Sequence, residues 1–434
     1  MIDEHVPKLG IYENETDKFL FSIDDYVLTI QGQKNDVLPV MKCIQPINNF
    51  IDFNLYNGQK IKIYMGEKLF KYYSPYKCYI SNYIVGNIGE KLECFDSINF
   101  EGGTLRNLKI PDQLQTRNML EDVQFKSDLQ SYEFCYNNCR CNVKIASIVT
   151  CESGQTGRTI KNNKISLTMQ FDKSQDIVSF YTYYNQVCEL ISFMTCRKNV
   201  GFDKITLSKK ENKIDRTIAS VYIHITSELT EKPIVDNFSF DDLKDILPEL
   251  SIQFFNEKKY RHLDILFPTN DTNAYLITDE RVRNVATAIE YEFNNTPGFK
   301  ENFNEEVLTQ LKSEVQTVVK TYQGQIKEKT FDLINGSINH WSLALCDKIK
   351  IMYHKYENEI NLLSSNMENI DNAIELFVKY RNNITHGSYK VMDSTVANMT
   401  SLLTGLVYCN FLTRMGISRE TLIKFCSNHK RFFI

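Results

Sequence analysis

DERVRNVATAIEYEFNNTPG, residues 279–298, is where the chain changes its period. Val282, Val285, Ala286, Ile289 and Phe293 recur every three or four residues, which places them on one face of a helix beginning at Asp279. Pro297 closes that stretch, and none of the nine prolines follows it. A long segment free of helix breakers predicts a bundle. Downstream, the spacing predicts a second helix over 304–322 and a third over 326–355. A fourth is opened by the capping box Ser365–Glu368, and a fifth starts near Asp393 with the stripe Val396, Met399, Leu403, Leu406, Asn410. Gly416 is its natural stop.

Upstream of residue 279 the punctuation is different. FLFSI (19–23), YVLTI (26–30), KIKIYM (60–65), CYISNYIVG (78–86) and KISLTMQF (164–171) are short, aromatic or β-branched. Turn signals separate them, so they read as strands. One helix, over 174–196, interrupts the series before DKITLS (203–208) and ASVYIHIT (219–226). The expected fold class is therefore α+β. It comprises an N-terminal β-rich, sandwich-like domain (1–230), a helical connector (231–273) and a C-terminal all-α bundle (274–434).

With 42% hydrophobic and 24% charged residues among 434, the composition is that of an ordinary globular protein. No apolar run approaches a membrane span. The acidic start MIDEHVPKLG lacks the basic and apolar regions of a signal peptide, so the expected location is cytoplasmic, with no membrane partner. Net charge is −4 and basic and acidic side chains balance from Ala274 onward, so any RNA contact must come from a local patch. There is no phosphate loop, dinucleotide fingerprint or HExxH, and no cofactor is expected. Of twelve scattered cysteines, only Cys135, Cys139 and Cys141 come close together. They are either strand and turn thiols or part of a zinc site completed by Cys94 or Cys151.

The residues that break the pattern are in YRNNITHGSY, 380–389. The stripe Ile370, Ile374, Phe377, Ile384 puts Arg381 on an apolar face, where a guanidinium needs a partner. His386 lies five residues on, about 140° around an ideal helix. Gly387 offers a termination through which the His can leave the helix and swing back towards the Arg side. Helix-end carbonyls favour a charged imidazolium there. Arg and His suit RNA cleavage, because RNA brings its own nucleophile, the 2′-hydroxyl. The His moves a proton and the Arg neutralises the phosphorane. One His cannot do both proton transfers at once, so two chains sharing a site are expected. The plainer alternative is an Arg whose stem packs while its head reaches water, and a His bonded to terminal carbonyls.

RNNITHG, late in a proline-free bundle, resembles the R-x4-6-H motif of HEPN domains. The chain as a whole is similar to the ApeA-type anti-phage branch of that family. The stretches that carry the likeness are FDSINFEGGTLRNL (95–108), YYNQVCELISFMT (183–195) followed by KITL, DDLKDILPEL (241–250), KKYRHLDILF (258–267) and AIEYEF (288–293). Leu108 stands where that branch often has Trp. The resemblance implies a metal-independent endoribonuclease toxin of abortive infection, dimeric or higher through its HEPN bundle, acting on RNA, with transfer RNA the leading guess. It implies Arg381 as the phosphate-stabilising group, His386 as the acid/base and Asn382 as a positioning residue. Glu290 is a candidate acidic neighbour, with a solvated helical Glu as the alternative. HEPN toxins paired with nucleotidyltransferases place a modifiable Tyr two residues after the His. Tyr389 comes one later and reads as a core or surface residue. The N-terminal domain would sense a phage protein or restrain the nuclease. Two other readings stay open: a bundle that binds RNA or a nucleotide without cutting, and an interaction protein that recognises a phage protein and dimerises through the bundle.

Overall fold

The β-rich half is one hydrogen-bonded ladder. The computed structural model describes residues 7–13, 18–31, 50–64, 76–108, 130–154, 157–212, 214–231, 237–256, 261–299, 305–339, 343–363, 369–388 and 390–428. Among these, thirteen strands form a single antiparallel sheet in the order β6-β3-β2-β1-β4-β5-β7-β13-β12-β8-β11-β10-β9. The first seven are β1 (Lys8–Glu13), β2 (Lys18–Asp24), β3 (Val27–Gln31), β4 (Phe50–Leu55), β5 (Lys60–Tyr64), β6 (Tyr76–Tyr79) and β7 (Asn82–Gly86). The other six are β8 (Cys94–Glu101), β9 (Gln130–Tyr136), β10 (Cys139–Gly154), β11 (Gly157–Asp176), β12 (Lys204–Glu211) and β13 (Ile214–Ile223).

The first seven strands must curl. β6 lies at the edge and β7 six places along, yet only Ile80 and Ser81 join them. Six strand spacings in a flat sheet span about 29 Å, whereas so short a link reaches about 10 Å. The curl encloses Phe21, Leu28, Ile30, Phe53, Ile61 and Ile63, all buried in one cluster. Tyr26, in the β2–β3 turn, closes it: its hydroxyl donates to the Ile223 carbonyl at 2.9 Å and its ring packs 5.6 Å from Tyr83. Over its first seven strands, the expected sandwich-like domain is thus a ladder that covers its own apolar face.

In the second half of the sheet, helix α1 (Phe180–Thr195) buries Phe180, Val187, Leu190, Ile191 and Phe193. Helix α2 (Leu247–Asn256) packs on β9 through Phe255, whose ring lies 4.9 Å from Phe134. The pair Gly102–Gly103 makes the corner after β8. Both residues adopt positive φ, and a Cβ on Gly103 would strike the Gly201 carbonyl.

The chain divides into two compact units, Met1–Lys258 with Thr269–Asp271, and Lys259–Pro268 with Thr272–Ile434. The division runs through the stretch expected as a connector. The second unit is all-helical: α3 (Asp279–Asn295), α4 (Glu305–Lys320), α5 (Glu328–Asn339), α6 (Leu345–Lys355), α7 (Glu357–Leu363), α8 (Ile370–Thr385), α9 (Ser394–Arg414) and α10 (Arg419–Asn428). The α+β class and its order along the chain are as expected. α3 begins at Asp279, with the Thr278 hydroxyl capping the Arg281 N–H. α9 begins at Ser394, capped by Asp393 onto the Val396 N–H. The single helix expected over 326–355 is instead two, because Ala344 has extended backbone (ψ 147°) and starts α6 afresh. The capping box at 365–368 lies outside the described residues; α8 is capped by Asn369, whose side chain accepts from the Asn372 N–H. No helix among the described residues is long and apolar enough to cross a membrane.

Candidate active site

α8 sends Ile374 and Phe377 into the bundle, both fully buried, and Arg381 follows one turn later on the same stripe. The guanidinium is drawn inward, with 27% of the side chain exposed, and it has the partner that such a position demands. Its Nη2 lies 3.8 Å from Glu290 Oε2 on α3, and its Nη1 donates to Asn382 Oδ1 at 3.2 Å. Glu290 therefore stands beside the motif. Its other oxygen, Oε1, lies 3.9 Å from Lys348 Nζ on α6. Lys348 is buried, with its ammonium 5.9 Å from the centre of the Phe293 ring. Both carboxylate contacts are ion pairs longer than a hydrogen bond.

His386 caps α8 at φ −92°, ψ 13°, and its N–H still donates to the Asn382 carbonyl at 3.0 Å. Gly387 then takes φ +75°, and the Ser388 N–H returns to the Asn383 carbonyl at 2.8 Å. This is a left-handed helix stop of the 6→1 kind. It comes one residue too late for the expected swing. With a near-helical backbone at position 386, the imidazole remains on the last turn, about 140° from Arg381. The ring is exposed, and among the described residues no hydrogen bond or ion pair reaches it. One chain brings Arg381, Asn382 and Glu290 together and leaves His386 facing elsewhere.

Tyr380 fastens the surroundings. Its buried hydroxyl sits 2.7 Å from Asp279 Oδ1 and 3.3 Å from the Lys390 carbonyl, so the motif helix, the start of α3 and the chain beyond the turn are held together. Tyr389 lies outside the described residues.

A second carboxylate on α3 is the hub of the bundle's interior. Glu292, with no exposed surface, meets His262 Nε2 at 2.8 Å, Arg414 Nη2 at 2.9 Å and Asn410 Nδ2 at 2.7 Å. Tyr356 donates in turn to Asn410 Oδ1 at 3.0 Å. Burial alone would raise the Glu292 carboxyl, but His262 and Arg414 outweigh it and hold it below the usual carboxylate range.

The cysteine cluster is divided by strand register. Asn137 and Asn138, both at positive φ, form a two-residue hairpin turn. Cys139 and Cys141 then share one buried face, while Cys135 pairs with Arg140 on the other, exposed face. Burial pushes both inner thiols up, and at Cys139 the hydrogen bond to Asp172 adds to that push. Among the described residues, no group of three His, Cys, Asp or Glu side chains converges as a metal site.

Lys348 was not anticipated from the sequence. The signal that marks Arg381 marks it too, since it sits on the stripe Leu345, Ile349, Met352. Comparison of the chain with protein-family models, with curated proteins and with solved structures finds no match in any of the three.

Proposed function

We propose that the helical unit is a HEPN-type endoribonuclease domain, acting in the cytoplasm on RNA, with transfer RNA as the leading candidate, in anti-phage abortive infection. What carries the reading is Arg381, a cation drawn into an apolar stripe beside a helix end that presents an exposed His386. Two substrate phosphate oxygens match the guanidinium fork. The 2′-hydroxyl attacks the adjacent phosphorus as its proton passes to a base. Arg381 stabilises the doubly charged phosphorane, and the 5′-oxygen leaves with a proton from an acid. The products are a 2′,3′-cyclic phosphate and a 5′-hydroxyl. His386 of one chain supplies one proton transfer, and a second copy supplies the other. The angular separation of Arg381 and His386 within one chain is a further reason to expect a site shared between two copies. The β-rich unit would sense a phage protein or restrain the nuclease.

The test is incubation of the full chain with total RNA in EDTA, with and without lysate of phage-infected cells. We expect cleavage leaving cyclic phosphate ends, reduced at least about a hundredfold by Arg381→Ala and by His386→Ala. Absence of cleavage in every condition overturns the reading. RNA binding lost in Arg381→Ala, without cleavage by the unaltered chain, would favour a binding module, which the outward-facing His386 also suits. A defence phenotype indifferent to both substitutions would favour an interaction protein.

A further inference from the structure

Lys348 has no use in the chemistry above, yet it is placed beside the residues that carry it. The side chain is 5% exposed, yet its ammonium finds no hydrogen bond among the described residues. Among the described residues its charged and aromatic contacts are Glu290 Oε1 at 3.9 Å and the Phe293 ring. A lysine that packs its stem among apolar side chains and aims its ammonium at a single carboxylate suits a role directed at that neighbour. That neighbour is Glu290, which it shares with Arg381: one carboxylate oxygen faces each cation. The trio of Arg381, Lys348 and Glu290 carries a net charge of +1. It therefore balances when one phosphodiester, with its single negative charge, arrives. Lys350, next but one on α6, is already engaged with Glu375 at 3.1 Å and does not compete for Glu290.

We propose that Lys348 is a positioning residue of the Arg381 site. It holds Glu290 by charge, so that Arg381 is released from the carboxylate to a phosphodiester of the nucleic-acid backbone. Without Lys348, Glu290 and Arg381 neutralise each other and the arriving phosphate has to displace a carboxylate. The inference rests on the reading of Arg381 as a phosphate-binding group, and binding and cleavage measurements separate the two.

The full chain is titrated with a labelled 2′-O-methyl oligoribonucleotide, which lacks the nucleophile and is not cut, and cleavage of unmodified RNA is followed in parallel. Lys348→Met is expected to weaken binding and raise KM by about tenfold, while kcat changes by less than about threefold. Lys348→Arg restores both, and so does adding Glu290→Gln to Lys348→Met, because the competing carboxylate charge is gone. A purely structural lysine gives a different pattern: Lys348→Met lowers thermal stability and kcat together, and Glu290→Gln does not rescue it. That pattern, or binding by Lys348→Met equal to that of the unaltered chain, overturns the proposal. If the oligonucleotide binds with this Lys348 dependence while no RNA is cut, the positioning role stands and the nuclease reading falls. If RNA is cut but Lys348→Met is silent, the reverse holds. Failure to bind the oligonucleotide at all overturns the inference.

Discussion

Glu290 and Glu292 stand two residues apart on α3 and have opposite surroundings. Glu292 is wholly buried, and both its oxygens are saturated at hydrogen-bond distance by His262, Arg414 and Asn410. Glu290 is 39% exposed, and its two cationic neighbours stay at 3.8 and 3.9 Å. A fully satisfied buried carboxylate is a fixed joint, because any rearrangement strands a charge in low dielectric. A loosely held one at the surface can exchange partners at little cost. The same helix therefore provides a rigid interior face and an adjustable outer one.

This contrast can be broken by substitution. The largest effect should come from Glu292→Ala, which removes the carboxylate shared by His262, Arg414 and Asn410. A loss of about 3–5 kcal/mol is expected in the denaturant-induced transition of the helical unit. An unchanged midpoint would mean that the network is not structural. Next comes pH. Because the folded carboxyl of Glu292 lies below its unfolded value, the stability it contributes is present above the unfolded value of about 4.3 and is lost as pH falls through the folded one. Thermal melts of the unaltered chain should therefore fall more steeply below about pH 5 than those of Glu292→Gln. Parallel curves would contradict the depressed carboxyl. Gly387→Ala is expected to cost about 1 kcal/mol: nothing lies within 4 Å of the new methyl, so only the positive φ opposes it. The smallest effect belongs to Glu290→Gln, under about 0.5 kcal/mol by the same melts. A loss approaching that of Glu292→Ala would erase the distinction between the two faces.

What the sequence made legible follows from the range of the forces involved. The stripe Val282, Val285, Ala286, Ile289, Phe293 is a local pattern, and it marked α3 with its start at Asp279. Arg381 was legible for the same reason, as a cation in an apolar row. Lys348 obeys the identical rule, but a lysine stem on an apolar face so often reaches water that the rule says little until the contact with Glu290 is seen. The break before α6 carries no proline at all, and Gly336 lies inside α5, so no local signal announced it. The sheet order was out of reach because pairings such as β8 with β11 join residues far apart in the chain. The cysteine geometry, by contrast, was accessible. Residues 139 and 141 must share a face in any strand, and an Asn-Asn turn sends Cys135 to the other.

The curl of the first seven strands has a consequence for how the chain is made. Apart from the β7–β13 ladder and the bond from Tyr26 to Ile223, the strand pairings of that curl need nothing beyond Gly86. β8 has no such independence, since its two neighbours lie at Ser166–Asp176 and Lys204–Ser208. During synthesis the curl can close while the remainder is still being translated, and it then offers β7 as a preformed template on which the later strands assemble.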